Sequence, residues 1–188
     1  MTPTIRSMSE RPTDEVARTL GQYLDNHIDP AAPKAATPPP ALGAAPQWRV
    51  AASLLRLREQ INTKFPDRKK DSDGTIGDTA HCPGDSDHCP NIIDQGVGVV
   101  TAMDITHDLV HGLDAGVVAD TLRQSQDPRI KYIISNARIA SSYAVSNVQP
   151  FIWRPYSGSN PHDHHFHVSV NADKTGPGGY DTPTDWTL

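Results

Sequence analysis

Cysteine is scarce in this sequence of 188 residues: only Cys82 and Cys89 occur, seven apart around His88. With no second pair there is no four-thiolate zinc cage and no disulfide-rich scaffold. A local disulfide, two plain thiols and a thiolate pair on zinc stay open, and the spacing favours the first two. Positive charge is thin as well. Lys and Arg number 17 against 22 Asp and Glu, a net charge of −5, and no basic run exceeds Arg68-Lys69-Lys70, so nucleic acid is not an expected partner. Long apolar runs are missing: the longest, 97–103, falls far short of a membrane span, and residues 1–6 lack the apolar core of a secretory signal. The expectation is a protein made soluble, with no membrane span, that stays in the cytoplasm until something releases it.

What is present suffices for one domain of ordinary size, with 36% hydrophobic residues. Residues 13–28 read as an amphipathic helix with Val16, Leu20, Tyr23 and Leu24 on one stripe, ended by Pro30. Over 30–46 six prolines mix with alanines, a composition that makes a semi-extended spacer. The expected organisation is an N-terminal adaptor over 1–29, a linker over 30–46 and a folded domain over 47–188.

In that domain, Val50, Leu54, Leu57 and Ile61 recur at helical period and predict a helix over 48–63, with Pro66 beyond its end. Asp71 to Gly74 is turn chemistry, and 78–95 should form an ordered loop. Residues 98–104 read as a buried strand ending in the carboxylate of Asp104. Asp114 should cap a helix running to about Gln124. Residues 130–134, 138–140, 151–153 and 165–170 read as strands, which gives an α+β domain with a small antiparallel sheet and flanking helices.

The densest chemistry lies near the C-terminus, where His162, His164, His165 and His167 are four of the nine histidines. The run from Phe166 to Val170 reads as a strand, so His165 and His167, two apart, share a face and can converge on one ion. Neutral imidazole binds zinc at about 2.0–2.1 Å. A third ligand must come from elsewhere, and His88, in Ser86-Asp87-His88, and Asp104 are the candidates. Two histidines and a carboxylate with one open position make a catalytic zinc site, whereas structural sites close with four protein ligands. Zinc lowers the pKa of bound water to about 7 and polarises a carbonyl, which suits peptide hydrolysis.

Ser86-x-His88, Asp104 and His165-x-His167 resemble the motifs of the zinc D-alanyl-D-alanine carboxypeptidases and the L-alanyl-D-glutamate endopeptidases of bacteriophage lysins, a group that includes the hedgehog zinc domain. So do Gly74-x-Ile76-Gly77-Asp78-x-Ala80-His81, the segment Thr101-Ala102-Met103-Asp104-Ile105-Thr106-His107, and Tyr156-x-Gly158-x-Asn160-Pro161-His162. The resemblance covers about 48–170 and extends to the 180–186 tail. It implies Zn²⁺ on His88, Asp104 and His167, and peptidoglycan stem peptides as substrate. It also implies an endolysin held in the host cytoplasm before lysis, or a lysin carried on the phage virion, with 1–29 docking a virion or other protein partner.

His165 would then orient water or stabilise an oxyanion. The family's carboxylate base, three residues before the last ligand, is His164 here, which shifts the base role to His165, His162 or Asp163. The family separates its histidine and aspartate ligands by six residues; here there are fifteen, so 91–98 must form an inserted hairpin or loop turning at Asp94-Gln95-Gly96. An arginine that holds the substrate carboxylate before the first ligand is also missing. Arg138 or Arg154 can substitute, or the substrate's end-group differs. A catalytically lapsed zinc-binding module docked on a virion or cell-wall partner is the alternative that the missing carboxylate favours.

Three rivals compete locally. His107-Asp108-Leu109-Val110-His111 approximates H-E-x-x-H, although Gly112 breaks the helix it needs. The better reading has His107 supporting Asp104 and His111 exposed. His81 can replace His88 in the same loop. Trp153 and Tyr156 are core residues or walls of a substrate cleft.

Overall fold

The computed structural model describes residues 48–77 and 82–188. The expected adaptor helix, the proline-rich linker and His81 lie outside the described residues.

Among the described residues the first element is a strand, β1 (Trp48–Val50), and not the start of a helix. It pairs in parallel with β3 (Val97–Val100), while Arg49 is held by Asp94 and Asp181 at 2.6–2.7 Å. Tertiary pairing therefore overrides helical period for these residues. Ala51 turns the chain, and α1 (Ala52–Lys64) buries Leu54, Leu57 and Ile61, the expected stripe. Phe65-Pro66 ends it, because proline lacks the N–H that another turn needs.

β2 (Ile92–Asp94) and β3 form the hairpin expected in this region, with Gln95 (φ 51°) and Gly96 (φ 82°) both left-handed at the turn. Gly98 permits the crossing beneath it, since a Cβ there would come within 2.7 Å of the Pro90 Cβ. The single strand expected over 98–104 is two. At Thr101 the chain leaves β3 and starts β4 (Ala102–Thr106), as Thr101 N–H donates to the Asp87 carbonyl and Val170 N–H to the Thr101 carbonyl. Asp104 thus sits in mid-strand. A second, three-stranded sheet in the order β1-β3-β2 accompanies the larger one.

The larger sheet is antiparallel throughout, in the order β4-β8-β5-β6-β7. Its other members are β5 (Ile130–Ser135), β6 (Arg138–Ser141), β7 (Arg154–Pro155) and β8 (His165–Val170). Residues 151–153, expected as a strand, are not one: Phe151 takes φ 58° and Trp153 turns its indole N–H to Asp120 at 2.8 Å. α2 (Ala115–Ser125) starts as expected at Asp114, whose carboxylate accepts from the N–H groups of Gly116 and Val117.

Strand alternation divides the sheet. Met103, Ile105, Phe166, Val168 and Ile133 pair on one face and are fully buried or nearly so, with Leu54, Leu57, Ile61 and Leu122 of the helices in the same core. Each such side chain contributes about 1.5–3 kcal/mol on leaving water. The tail closes over α1. Buried Arg129 donates to the carbonyls of Thr182, Thr184 and Asp185 and lies 3.8 Å over the Trp186 ring, whose indole N–H reaches the Ser53 carbonyl. The opposite face of the sheet carries Asp104, His165 and His167.

Candidate metal centre

β4 and β8 align Asp104 with His167 and Thr106 with His165, so alternation places the aspartate and both histidines on one face. His88 arrives from the loop between Cys82 and Cys89, which form a disulfide. Of the readings left open for the cysteines, the disulfide is the one the structure contains. His88 Nδ1 faces the Thr75 carbonyl at 3.4 Å, and Gly77 N–H donates to the His88 carbonyl at 3.2 Å. These contacts turn His88 Nε2 toward Asp104 Oδ1, at 3.4 Å, and His167 Nδ1, at 3.1 Å. His167 Nδ1 lies 3.0 Å from the same carboxylate oxygen.

His88, Asp104 and His167 therefore form a group that could hold a metal ion, their donor atoms within 4.8 Å of one another. Asp104, His162 and His165 form a second group that shares the carboxylate. His165 Nε2 stands 3.8 Å from Asp104 Oδ2 and is buried without a hydrogen-bond partner among the described residues. His162 is buried at the end of the strained run before β8, with φ 54°, and Nδ1–H can donate to the Asn160 carbonyl at 2.7 Å. Asp163 is not part of this cluster; it is exposed and faces His164 at 3.7 Å.

The electrostatics keep the cluster ready for a cation. Burial works against ionising Asp104, yet the hydrogen bonds and charges of His167 and His88 outweigh it and hold the carboxyl far below its ordinary range. Burial also opposes protonation of His88, but Asp104 overrides it and raises its pKa. For the more deeply buried His167 desolvation wins and the pKa falls. Desolvation, with the neighbouring His167 and His165, pushes His162 down to about 4, so it is neutral at pH 7.

Behind His167 runs a relay that the sequence reading missed. His167 Nε2 lies 2.9 Å from Ser169 Oγ, the Tyr132 hydroxyl hydrogen-bonds with Ser169 and Asp87, and Lys131 Nζ holds both Asp87 oxygens at 2.9 Å. The Tyr132 ring stacks on His167, with centroids 5.4 Å apart. Protons ordered from His167 Nε2 through Ser169 and Tyr132 to Asp87 leave His167 Nδ1 as a lone pair facing Asp104. Ser169, two residues beyond His167 on the same face, carried a readable signal; Tyr132 and Lys131 carried none.

The rivals are placed elsewhere. His107, expected beside Asp104, accepts from Ala115 N–H at 3.1 Å, and His111 pairs with Asp108 at 2.6 Å, so the approximate H-E-x-x-H motif is not assembled. The Tyr156 ring lies edge-on to His162 at 5.5 Å, beside the cluster, whereas Trp153 is held by Asp120 away from it. Comparison with known proteins gives no matching family, no matching curated protein and no matching solved structure.

Proposed function

We propose that this chain is a zinc-dependent peptidase that cleaves the stem peptides of bacterial peptidoglycan, acting as a phage endolysin or a virion-associated lysin. The observation that carries the reading is the convergence of His88 Nε2, Asp104 Oδ1 and His167 Nδ1 at separations of 3.0, 3.1 and 3.4 Å. Ligands standing about 2.0–2.1 Å from a tetrahedral zinc lie about 3.3 Å apart, and three of them leave a fourth position for solvent. Beside the cluster stands the neutral imidazole of His162, and no thiolate is on hand to close the fourth position, both cysteines being in the disulfide.

A divalent ion held here would supply Lewis acidity to the scissile carbonyl and to an attacking water. The protein's own groups do the rest. His165 Nε2, buried 3.8 Å from Asp104 Oδ2 and unsatisfied among the described residues, is the proton acceptor and can later donate to the oxyanion or the leaving amine. His162 stays neutral against it and excludes water. Asp163 acts only if it swings in from its exposed position.

The test joins metal analysis with mass spectrometry of digested cell wall. One bound zinc per chain and chelator-sensitive release of cleaved stem peptides are expected, both lost in H88A, D104A and H167A proteins. Cleavage retained by H167A would overturn the assignment. The exposed Asp163 and the histidine at position 164, where the resembled peptidases have a carboxylate, favour the second reading, a zinc-holding docking module without catalysis. Bound zinc with intact stem peptides would decide for it.

A further inference from the structure

Asp104 has two carboxylate oxygens, and His88 and His167 converge on only one of them, Oδ1. Oδ2 stands 3.8 Å from His165 Nε2, a buried nitrogen without a hydrogen-bond partner among the described residues. A buried polar atom left unpaired is costly and marks a place that something else completes. The third donor is His162, whose ring lies edge-on to that of His165 with centroids 4.9 Å apart. The Asn160 carbonyl, 2.7 Å from its Nδ1, can only accept, so Nδ1 carries the proton and the lone pair is at Nε2. A main-chain carbonyl on the outer N–H is a common device for orienting a ligating imidazole. The His162 backbone is fixed as well: its N–H donates to Asn160 Oδ1 and its carbonyl accepts from Asn136 N–H, both at 3.0 Å.

Asp104, His162 and His165 offer donor atoms within 4.8 Å of one another. Two imidazoles and a carboxylate suit a borderline cation such as zinc, whereas calcium and magnesium take shells of oxygen. The spread exceeds the separation of about 3.3 Å between ligands of a tetrahedral zinc, so the imidazoles have to draw in. A cation on Oδ1 also repels one on Oδ2. This site is therefore weaker than the first, whose donors already stand at 3.0–3.4 Å. Paired cations about 3.5–4 Å apart are an arrangement that proteins hold, and one carboxylate spans that distance through its two oxygens.

We propose that His162, His165 and Asp104 Oδ2 hold a second, weaker zinc-type cation, with Asp104 as the bridge, and that this cation silences the centre by occupying His165 Nε2. The silencing rests on the function proposed above, in which His165 accepts the proton; the site itself does not. A lone pair committed to a cation accepts no proton. One zinc per chain then serves the chemistry, and the second, added only in excess, stops it.

The experiment is equilibrium dialysis of full-length protein over a range of free zinc set by chelator buffers, with thermal unfolding recorded for each protein. Wild type should take a second equivalent at least tenfold more weakly than the first. H162A and H165A should keep the first equivalent and lose the second, H88A should lose the tight equivalent and keep a weak one, and H164A, altered at an exposed ring, should keep both. Release of stem peptides by wild type should fall over the same range of free zinc in which the second equivalent binds. Fewer than two equivalents in wild type, or a second equivalent of unchanged affinity in either H162A or H165A, would overturn the site. Full cleavage with both equivalents bound would overturn the silencing. Because stoichiometry is read without turnover, a protein that takes two zinc ions and cleaves nothing at any zinc level would refute the peptidase reading while upholding the site.

Discussion

Ser169 Oγ lies 2.9 Å from His167 Nε2, so the outer nitrogen of the buried imidazole is already engaged and the inner one is aimed at Asp104. The hydroxyl sets the tautomer, and Tyr132, itself bonded to Asp87, holds it in place.

S169A should therefore weaken metal binding by about 10- to 100-fold, the usual effect of removing a group that orients a ligating histidine. Y132F should fall between S169A and wild type. Competition against a chromophoric chelator measures both, and an S169A affinity equal to wild type would remove the relay from the account.

Arg68 has a fully buried guanidinium and donates to Asp73 at 2.8 and 2.6 Å, while Asp73 accepts from the N–H and hydroxyl of Thr106 on β4. Burial by itself would raise the Asp73 pKa; Arg68 and Thr106 override it and hold it below the ordinary 3.8. D73N, which leaves the guanidinium unpaired, should cost about 3–5 kcal/mol. A depressed carboxyl pKa stabilises the fold above the unfolded value and loses that contribution as pH falls through the folded one. Urea titrations should then show wild type losing its advantage over D73N only below pH 3.8, and a gap that persists undiminished at pH 2 would contradict the pairing.

Reduction of Cys82–Cys89 frees a loop of sequence separation 7 that carries His88. Loss of so short a cross-link costs about 2–3 kcal/mol in the chain-entropy picture. Because His88 is in that loop, dithiothreitol or C82S/C89S should lower both the unfolding temperature and the metal affinity. A lower unfolding temperature with unchanged affinity would separate the cross-link from the site.

Metal retention should also fall with acidity. Asp104 raises the His88 pKa above 6.5, so in the metal-free protein protons compete at this ligand from near neutrality downward. Equilibrium dialysis at pH 8, 7, 6 and 5 should show steadily weaker binding, and a flat profile across that range would exclude His88 as a ligand.

Much of the site could be read from local pattern. The i, i+2 spacing of His165 and His167 fixes their shared face, and Asp114 and the Leu54, Leu57 and Ile61 stripe identify the helices. What escaped depends on partners distant in sequence. Trp48 to Val50 follows helical period yet pairs with β3, and β7 is two residues recruited by β6, too short for any alternation. Arg154 and Arg138 were indistinguishable until register assigned them to opposite faces. Lys131 and Tyr132 gave no sign because the relay to His167 passes through space.

The crossover at Thr101 lets fifteen intervening residues separate His88 from Asp104 while their ligand atoms stay 3.4 Å apart. The β2–β3 hairpin is consequently a detour whose tip, at Gln95-Gly96, can lengthen or shorten without moving either ligand. That tip offers an engineer a grafting point: a recognition peptide inserted there would travel with the protein and leave the centre's geometry intact.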